Sequence, residues 1–423
     1  MKIFNKLSLR LILQRLLISL SVIIFIRVGS FLPVPGINHT DLALYIQNNP
    51  LARSLVSTFS GKDTFVIGLF TLNIFPYINA SILIQLIIAF SPSLSKLQKE
   101  GDLTSRRSLN RLTRFITLIS ATIQSIGIGL YLRQVLFDWN LLLLFQIVLW
   151  LTTGAMIVLW LSELITDYGL GNGASLLIYT NIVSSFPNLY KTILLENSEN
   201  LTVVSYFGIG SLLFVSLMGI VLLQEGVRKI PLLSSKQLNQ SSNRSIDIIN
   251  TNTYIPLKLN QAGVMPIILT TAVLVLPSYI TSLGFFPTLS IPRLEIFSSI
   301  LYWMVYFGFI LGFSLFYSTI ILNPKDISDQ LQKMAVTIPG VRPGVQTTFY
   351  LKKVMQRLTL IGALALASLA TLPNFIEGIF NVSSFNGLST TSLLIMAGVL
   401  VDISREVEDI IYSNIYKKDT IKL

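Results

Sequence analysis

Apolar residues along this chain fall in runs of roughly 17 to 25, separated by shorter polar stretches, which is the length an α-helix needs to cross the hydrocarbon core of a bilayer. Ten runs stand out, near residues 11–32, 72–90, 116–136, 141–161, 174–190, 203–223, 264–283, 296–321, 358–375 and 388–401. The pattern predicts an all-α polytopic membrane protein with ten transmembrane helices in one membrane domain. The fifth run contains Pro187 and the tenth stops short before Asp402, so these two are the least regular.

Four of the runs open on broken backbone. "NIFPYINASILIQL" brings Asn73, Pro76, Asn79 and Ser81 into the start of the second, and three glycines in "GLGNGASLLI" open the fifth. Gly263 and Pro266 interrupt "QAGVMPIILTTA" at the seventh, and "LSTTSLLI" opens the tenth. Proline suits the first turn of a helix, where its missing N–H is no loss, so any one of these also reads as an ordinary helix start. Irregular backbone at membrane depth is tolerated where it faces protein or a water-filled cavity. The openings also repeat. Spans two and seven share the proline-broken start, and spans five and ten share "SLLI", at 175–178 and 392–395. An offset of five spans makes two halves, 1–190 and 203–403, followed by a tail at 404–423. With an odd number of spans each, the halves are inverted and pseudo-symmetric, and inverted repeats place the functional path at their interface.

Composition agrees with the pattern. The 423 residues are 52% hydrophobic and only 12% charged, too few polar groups to cover a soluble protein of this size. The chain has no cysteine, hence no disulfide and no thiolate metal site, and its single histidine, His39, lies in a polar loop. The net charge of +11 is mainly a topology signal. With ten spans both termini share a side, and 25 of the 31 Lys and Arg fall on that side; the other holds Arg27, Arg53, Lys62, Arg133, Lys191 and Arg293. By the positive-inside rule the termini are cytoplasmic. The start, "MKIFNKLSLRLILQRLL", reads as a cytoplasmic tail entering the first span and lacks the short apolar core and cleavage site of a signal peptide.

Spans four through ten carry no ionisable residue in their middles, while Arg15, Arg27 and Arg133 lie near span ends, where long side chains snorkel. Proton-coupled transport needs such groups at membrane depth. Sodium coupling through carbonyls keeps a secondary solute transporter as the alternative reading. No carboxylate pair, Ser-His pair or metal cluster sits within the spans, so the chain is expected to be no enzyme and to need no cofactor.

Two long basic loops face the cytoplasmic side. The loop at 323–357 opens with Asn323-Pro324 and Asp326, a cap, a first-turn proline and an acid near the positive helix end. "TTFYLKKVMQRL" reads as a returning helix, and between them "IPGVRPG" carries two Pro-Gly turns that present Arg342 at the tip. The loop at 225–262 reads as short extended segments, "VRKIPLLSSKQLNQSSN" and "TYIPLKLNQ", around a polar middle. Both loops read either as positive-inside residues alone or as a platform for a large acidic or RNA-bearing partner.

"FPYINASILIQL", "KLQKEGDLTSRRSLNRLTRF", "ITDYGLGNGASLLI", "IPLKLNQAGVMP", "NPKDISDQLQKM", "IPGVRPGVQT" and "VMQRLTLIGALALASLATLP" resemble, in order and along nearly the whole chain, the signature segments of SecY, the central subunit of the Sec protein translocase. The resemblance implies an hourglass channel around a central pore. Its sealing ring falls on Ile74, Ile78, Ala174, Ile178, Ile268 and Ile395, with Ala174 smaller than the usual aliphatic residue there. An apolar ring seals by dewetting. The family's plug corresponds to 59–70, including Phe59, Ser60, Gly61, Phe65, Val66 and Ile67. Its lateral gate would lie between spans two and three on one side and seven and eight on the other, with Gln85, Gln124 and Thr270 as polar candidates. For Gln124 and Thr270 an interhelical hydrogen bond is the competing reading. Partner docking is implied for Arg342, Arg228, Lys229 and Arg244.

The resemblance further implies movement of unfolded polypeptides across, and laterally into, the lipid bilayer, driven by a SecA-like ATPase or the ribosome. A SecE-like single-span subunit, and a SecG-like one, are the implied companions. Asn-, Ile- and Lys-rich usage points to a plastid-encoded protein of the thylakoid, with the termini stromal; a bacterial plasma membrane is the alternative.

Overall fold

The computed structural model describes residues 6–35, 68–91, 94, 103–131, 140–191, 203–234, 254–261, 263, 265–267, 269–270, 273, 292–321, 323–380 and 390–421. Helices dominate these residues. In chain order they are α1 (Lys6–Gly29), α2 (Phe75–Phe90), α3 (Leu103–Tyr131), α4 (Leu141–Tyr168), α5 (Gly173–Lys191), α6 (Val203–Glu225), α7 (Pro292–Ile321), α8 (Pro324–Lys333), α9 (Val345–Phe380) and α10 (Thr390–Ile421). Four short strands accompany them: β1 (Val227–Pro231), β2 (Leu233–Ser234), β3 (Tyr254–Lys258) and β4 (Val336–Thr337). Among the described residues, Arg10–Gly29, Arg107–Leu130, Leu141–Tyr168 and Val345–Thr371 are long and apolar enough to cross a membrane, and shorter apolar stretches lie in α2, α5, α6 and α7. The protein is an all-α polytopic membrane protein, with large apolar side chains such as Leu142, Phe145, Trp160 and Leu222 left exposed for lipid to cover.

Helices overrun the predicted spans where polar residues continue the helical pattern. α3 begins thirteen residues before the expected 116, in a basic stretch. α9 starts at Val345 because Gly344 ends the preceding turn, and the tail expected from 404 is helical to Ile421. The second span starts later than its apolar run: residues 69–74 are turns, and Ile74 caps α2 with Pro76 in its first turn. Of the seventh span only isolated residues between 265 and 273 are described, and those assigned are helical.

The chain divides into two compact units, residues 1–199 with 399–423, and residues 200–398. In the first, α2 packs on α3, α3 on α4, α4 on α5, and α1 on α4. Gly154 of α4 meets the turn before α2 so closely that a Cβ would strike the Leu69 carbonyl. That turn is also tied to the end of α1, with Leu69 N donating to Leu32 O at 2.9 Å. The second unit has two cores. One, at the described membrane helices, collects Ile220, Leu223, Ile267, Tyr306, Ile310, Leu366, Ala367 and the buried Leu393 and Leu394 of α10. The other is formed by the two basic loops.

Candidate functional site

The described ring candidates sit at or near helix starts. In the first unit, Ile74 is the cap of α2, 1% exposed, and Ile78 follows one turn later, 8% exposed. Both backbone bonds of that turn converge on one carbonyl: Tyr77 N and Ile78 N each donate to Ile74 O at 3.1 Å. Ala174 and Ile178 lie on the first turns of α5, both half-buried. That helix begins where Ala174 N donates to Asn172 Oδ1 at 3.0 Å and Gly173 N to Thr166 Oγ1 at 2.9 Å. In the second unit, Ile395 is half-buried on α10 beside the core residues Leu393 and Leu394. Ile268 lies outside the described residues.

The plug candidates Phe59, Ser60, Gly61, Phe65, Val66 and Ile67 also lie outside them. The end of that segment, Gly68 to Phe70, is described and buried or half-buried, held by the bridge between Gly68 and Pro33. Among the gate candidates, Gln85 is half-buried on α2. Gln124 on α3 has a buried Oε1 with no partner among the described residues. Thr270 is fully buried, and its hydroxyl donates back to the Pro266 carbonyl at 2.7 Å, satisfying the carbonyl group of its own helix.

The basic loops form one structure. β1 pairs antiparallel with β3, placing Arg228 opposite Leu257 and Lys229 opposite Pro256. β2 pairs with β4, Leu233 opposite Thr337, which joins the first loop to the second. Between them Ile230, Leu257, Leu331, Ile338, Leu351, Val354, Met355 and Leu358 pack into an apolar core. Burying each Leu or Ile of that kind contributes about 1.5–3 kcal/mol. Charged residues are left outside: Arg228 and Lys229 are exposed, with Lys229 Nζ 4.8 Å from the centre of the Tyr254 ring.

The knuckle at 338–344 is anchored at both ends. Ile338 is buried in this core and Val341 packs on it, with Val341 N donating to Ile338 O at 3.1 Å. Gly340 and Gly344 have φ of 76° and 98°, a region open to glycine at no steric cost. Ser328 Oγ of α8 donates to Gly344 O at 3.0 Å, and Thr347 Oγ1 of α9 to Arg342 O at 2.8 Å. The backbone is thus tied down while the Arg342 side chain stands exposed, near in sequence to the exposed Lys352, Lys353 and Arg357. Arg244 lies outside the described residues.

Several polar residues in these regions escape sequence reasoning. Glu406 of α10 accepts from Gly171 N at 2.5 Å and lies 3.6 Å from Arg15. Arg114 and Glu163 make a bidentate pair at 2.9 and 2.7 Å between α3 and α4. Ser318 bonds Thr359 at 2.7 Å and Gln261 at 3.0 Å, joining α7, α9 and the opening of span seven. Asn73 bonds Asn181 at 3.0 Å. The partners are far apart in sequence, and no local pattern announces them; the one available signal was a polar residue beside an interrupted helix start.

A family model, SecY, matches residues 68–404. A protein translocase subunit SecY from Trieres chinensis is 60% identical over 411 residues, covering 96% of this chain and 97% of the relative. One of the same name from Guillardia theta is 44% identical over 409 residues, covering 96% of each. Among solved structures, one described as a protein conducting channel superposes with a TM-score of 0.62 at 16% identity, covering 94% of this chain and 92% of that one.

Proposed function

The chain belongs to the SecY family, and on that premise we propose that it works as the channel subunit of a protein translocase, passing unfolded polypeptides across a membrane and releasing apolar segments sideways into lipid. In this reading Ile74, Ile78, Ala174, Ile178, Ile268 and Ile395 surround the waist. The plug is the segment at 59–70, and the gate runs along Gln85, Gln124 and Thr270. An apolar ring offers ions no substitute for water, yet closes softly around a polypeptide of any sequence.

One observation carries the reading beyond the family likeness: the two basic loops fold into a single module around their own apolar core, with Arg228, Lys229 and Arg342 held outward. A channel fed by a large partner needs such a platform, and a solute transporter does not. The partners proposed are a SecA-like ATPase or the ribosome at this module, a SecE-like single-span subunit and a SecG-like one. The polypeptide supplies no chemistry and the chain performs none, so work comes from the partner. The proposed site of action is the plastid thylakoid membrane, with both termini stromal; the relatives from Trieres chinensis and Guillardia theta support the plastid part of this reading.

The test uses the absence of cysteine. Ile78→Cys and Ile268→Cys, each alone, are expected to cross-link to a stalled secretory chain bearing one cysteine, and Phe145→Cys on an exposed face of α4 is not. Cross-linking at Phe145→Cys with none at the other two positions overturns the pore assignment.

A further inference from the structure

Asn73 immediately precedes Ile74 and has a φ of 46°, in the left-handed region that asparagine tolerates better than most residues. It is 8% exposed. Its Nδ2 donates to Asn181 Oδ1 at 3.0 Å, and Asn181 stands on α5 three residues beyond Ile178. The bond therefore joins the residue beside one ring candidate to a residue one turn from another. α2 packs chiefly on α3 and α5 on α4, so this amide pair links two helices that otherwise rest on different neighbours.

The surroundings leave little slack. Thr71 Oγ1 donates to Gly68 O at 2.7 Å and Asn73 N to Phe70 O at 2.9 Å, while Leu72 is fully buried. On the α5 side the Thr180 carbonyl accepts from the Arg27 guanidinium of α1. Asn73 Oδ1 has no partner among the described residues, so the described hydrogen bond of this side chain is the one to Asn181. A buried amide without a partner is costly, which makes the pair directional in a way that two apolar side chains of the same volume are not. Direction matters here because rotating the opening turn of α2 swings Ile74.

We infer that the Asn73–Asn181 pair is a latch that positions the ring-bearing ends of α2 and α5 and holds the resting channel tight to ions. The inference rests on the pore reading of Ile74 and Ile78, and both residues act by positioning.

The experiment measures resting ion conductance of the full chain, with its small partner subunits, in planar bilayers. Asn73→Gly keeps the backbone geometry and removes the amide; Asn181→Ala removes the other partner. Each is expected to raise resting conductance about fivefold, the shift in open population that one lost hydrogen bond produces. The double variant should leak no more than either single one. Asn181→Asp keeps the bond in its observed direction, since a carboxylate oxygen at that position accepts from Asn73 Nδ2, and its conductance should stay at the parent level. General loss of packing would not spare that conservative variant. Unchanged conductance in both single variants, or additive leaks in the double one, overturns the latch. If Asn73→Gly fails to accumulate, Asn181→Ala decides alone by the same reading. Cross-linking at Ile78→Cys, run in parallel, separates the outcomes: its presence with no leak refutes the latch, and its absence refutes the pore reading beneath it.

Discussion

Arg342 projects because its own backbone is immobilised. Two glycines take φ values that other residues resist, Thr347 binds the carbonyl of Arg342 itself and Ser328 that of Gly344, and the guanidinium is left in solvent. An exposed charge of this kind adds little to folding and much to encounter with an oppositely charged partner. Arg342→Glu is expected to weaken binding of the motor or ribosome about tenfold or more, with a shallower salt dependence, while membrane insertion and resting conductance stay unchanged. Flotation of the ATPase or ribosomes with proteoliposomes over a salt series checks this, and loss of folded protein would show that Arg342 serves structure. The residue was legible in the chain because its determinants are local: Pro-Gly on each side and helix signals beyond. The pairing of Asn73 with Asn181 was not, since 108 residues separate them and either alone is an ordinary polar residue, one beside a helix start and the other in the middle of α5.

Among the elements, the basic hairpin at 323–357 changes most from sequence to structure. The capped start of α8 is as its residues predict, with Asn323 Oδ1 accepting from Lys325 N. The extended segments of the other loop do pair, as β1 and β3. Their union into one module comes from the β2–β4 pairing and the shared core, where Ile230 and Leu257 from one loop meet Leu331, Ile338 and Leu351 from the other. Leu351→Ala leaves a cavity in that core and is expected to cost about 2–5 kcal/mol of local stability. If the loops are one unit, limited proteolysis should then cut within 227–258 and 324–344 with the same enhanced rate. Enhanced cutting confined to 324–344 would show that the loops are independent.

Across the whole molecule, the C-terminal helix is more than a tail. α10 is continuous from Thr390 to Ile421; its first turns bury Leu393 and Leu394 in the core of the second unit, and from Val399 the chain belongs to the first. There Glu406 receives the Gly171 amide, while its pairing with Arg15 is long and half-exposed. Glu406→Ala is expected to cost about 1.5–3 kcal/mol of local stability, the range for a hydrogen bond to a charged group, and to speed hydrogen exchange at 169–173 and 403–412. Arg15→Ala should change it little, because exposed ion pairs contribute about 0–1 kcal/mol. Equal effects of the two substitutions would shift the role from the hydrogen bond to the ion pair.

By itself the amino-acid sequence determined the all-α membrane class, where most of its apolar helical stretches lie, the broken starts at Pro76 and Gly173, and the exposed knuckle at Arg342. Each follows from short-range physics: transfer of apolar runs into lipid, proline and glycine torsions, and helix capping. Tertiary structure alone decided which polar groups meet: Asn73 with Asn181, Glu406 with Gly171, Ser318 with Thr359, and one basic loop with the other. These depend on where distant segments come to rest. A side chain's need for a partner is written in its chemistry, but the partner's identity is set by the packing that brings the two within 3 Å.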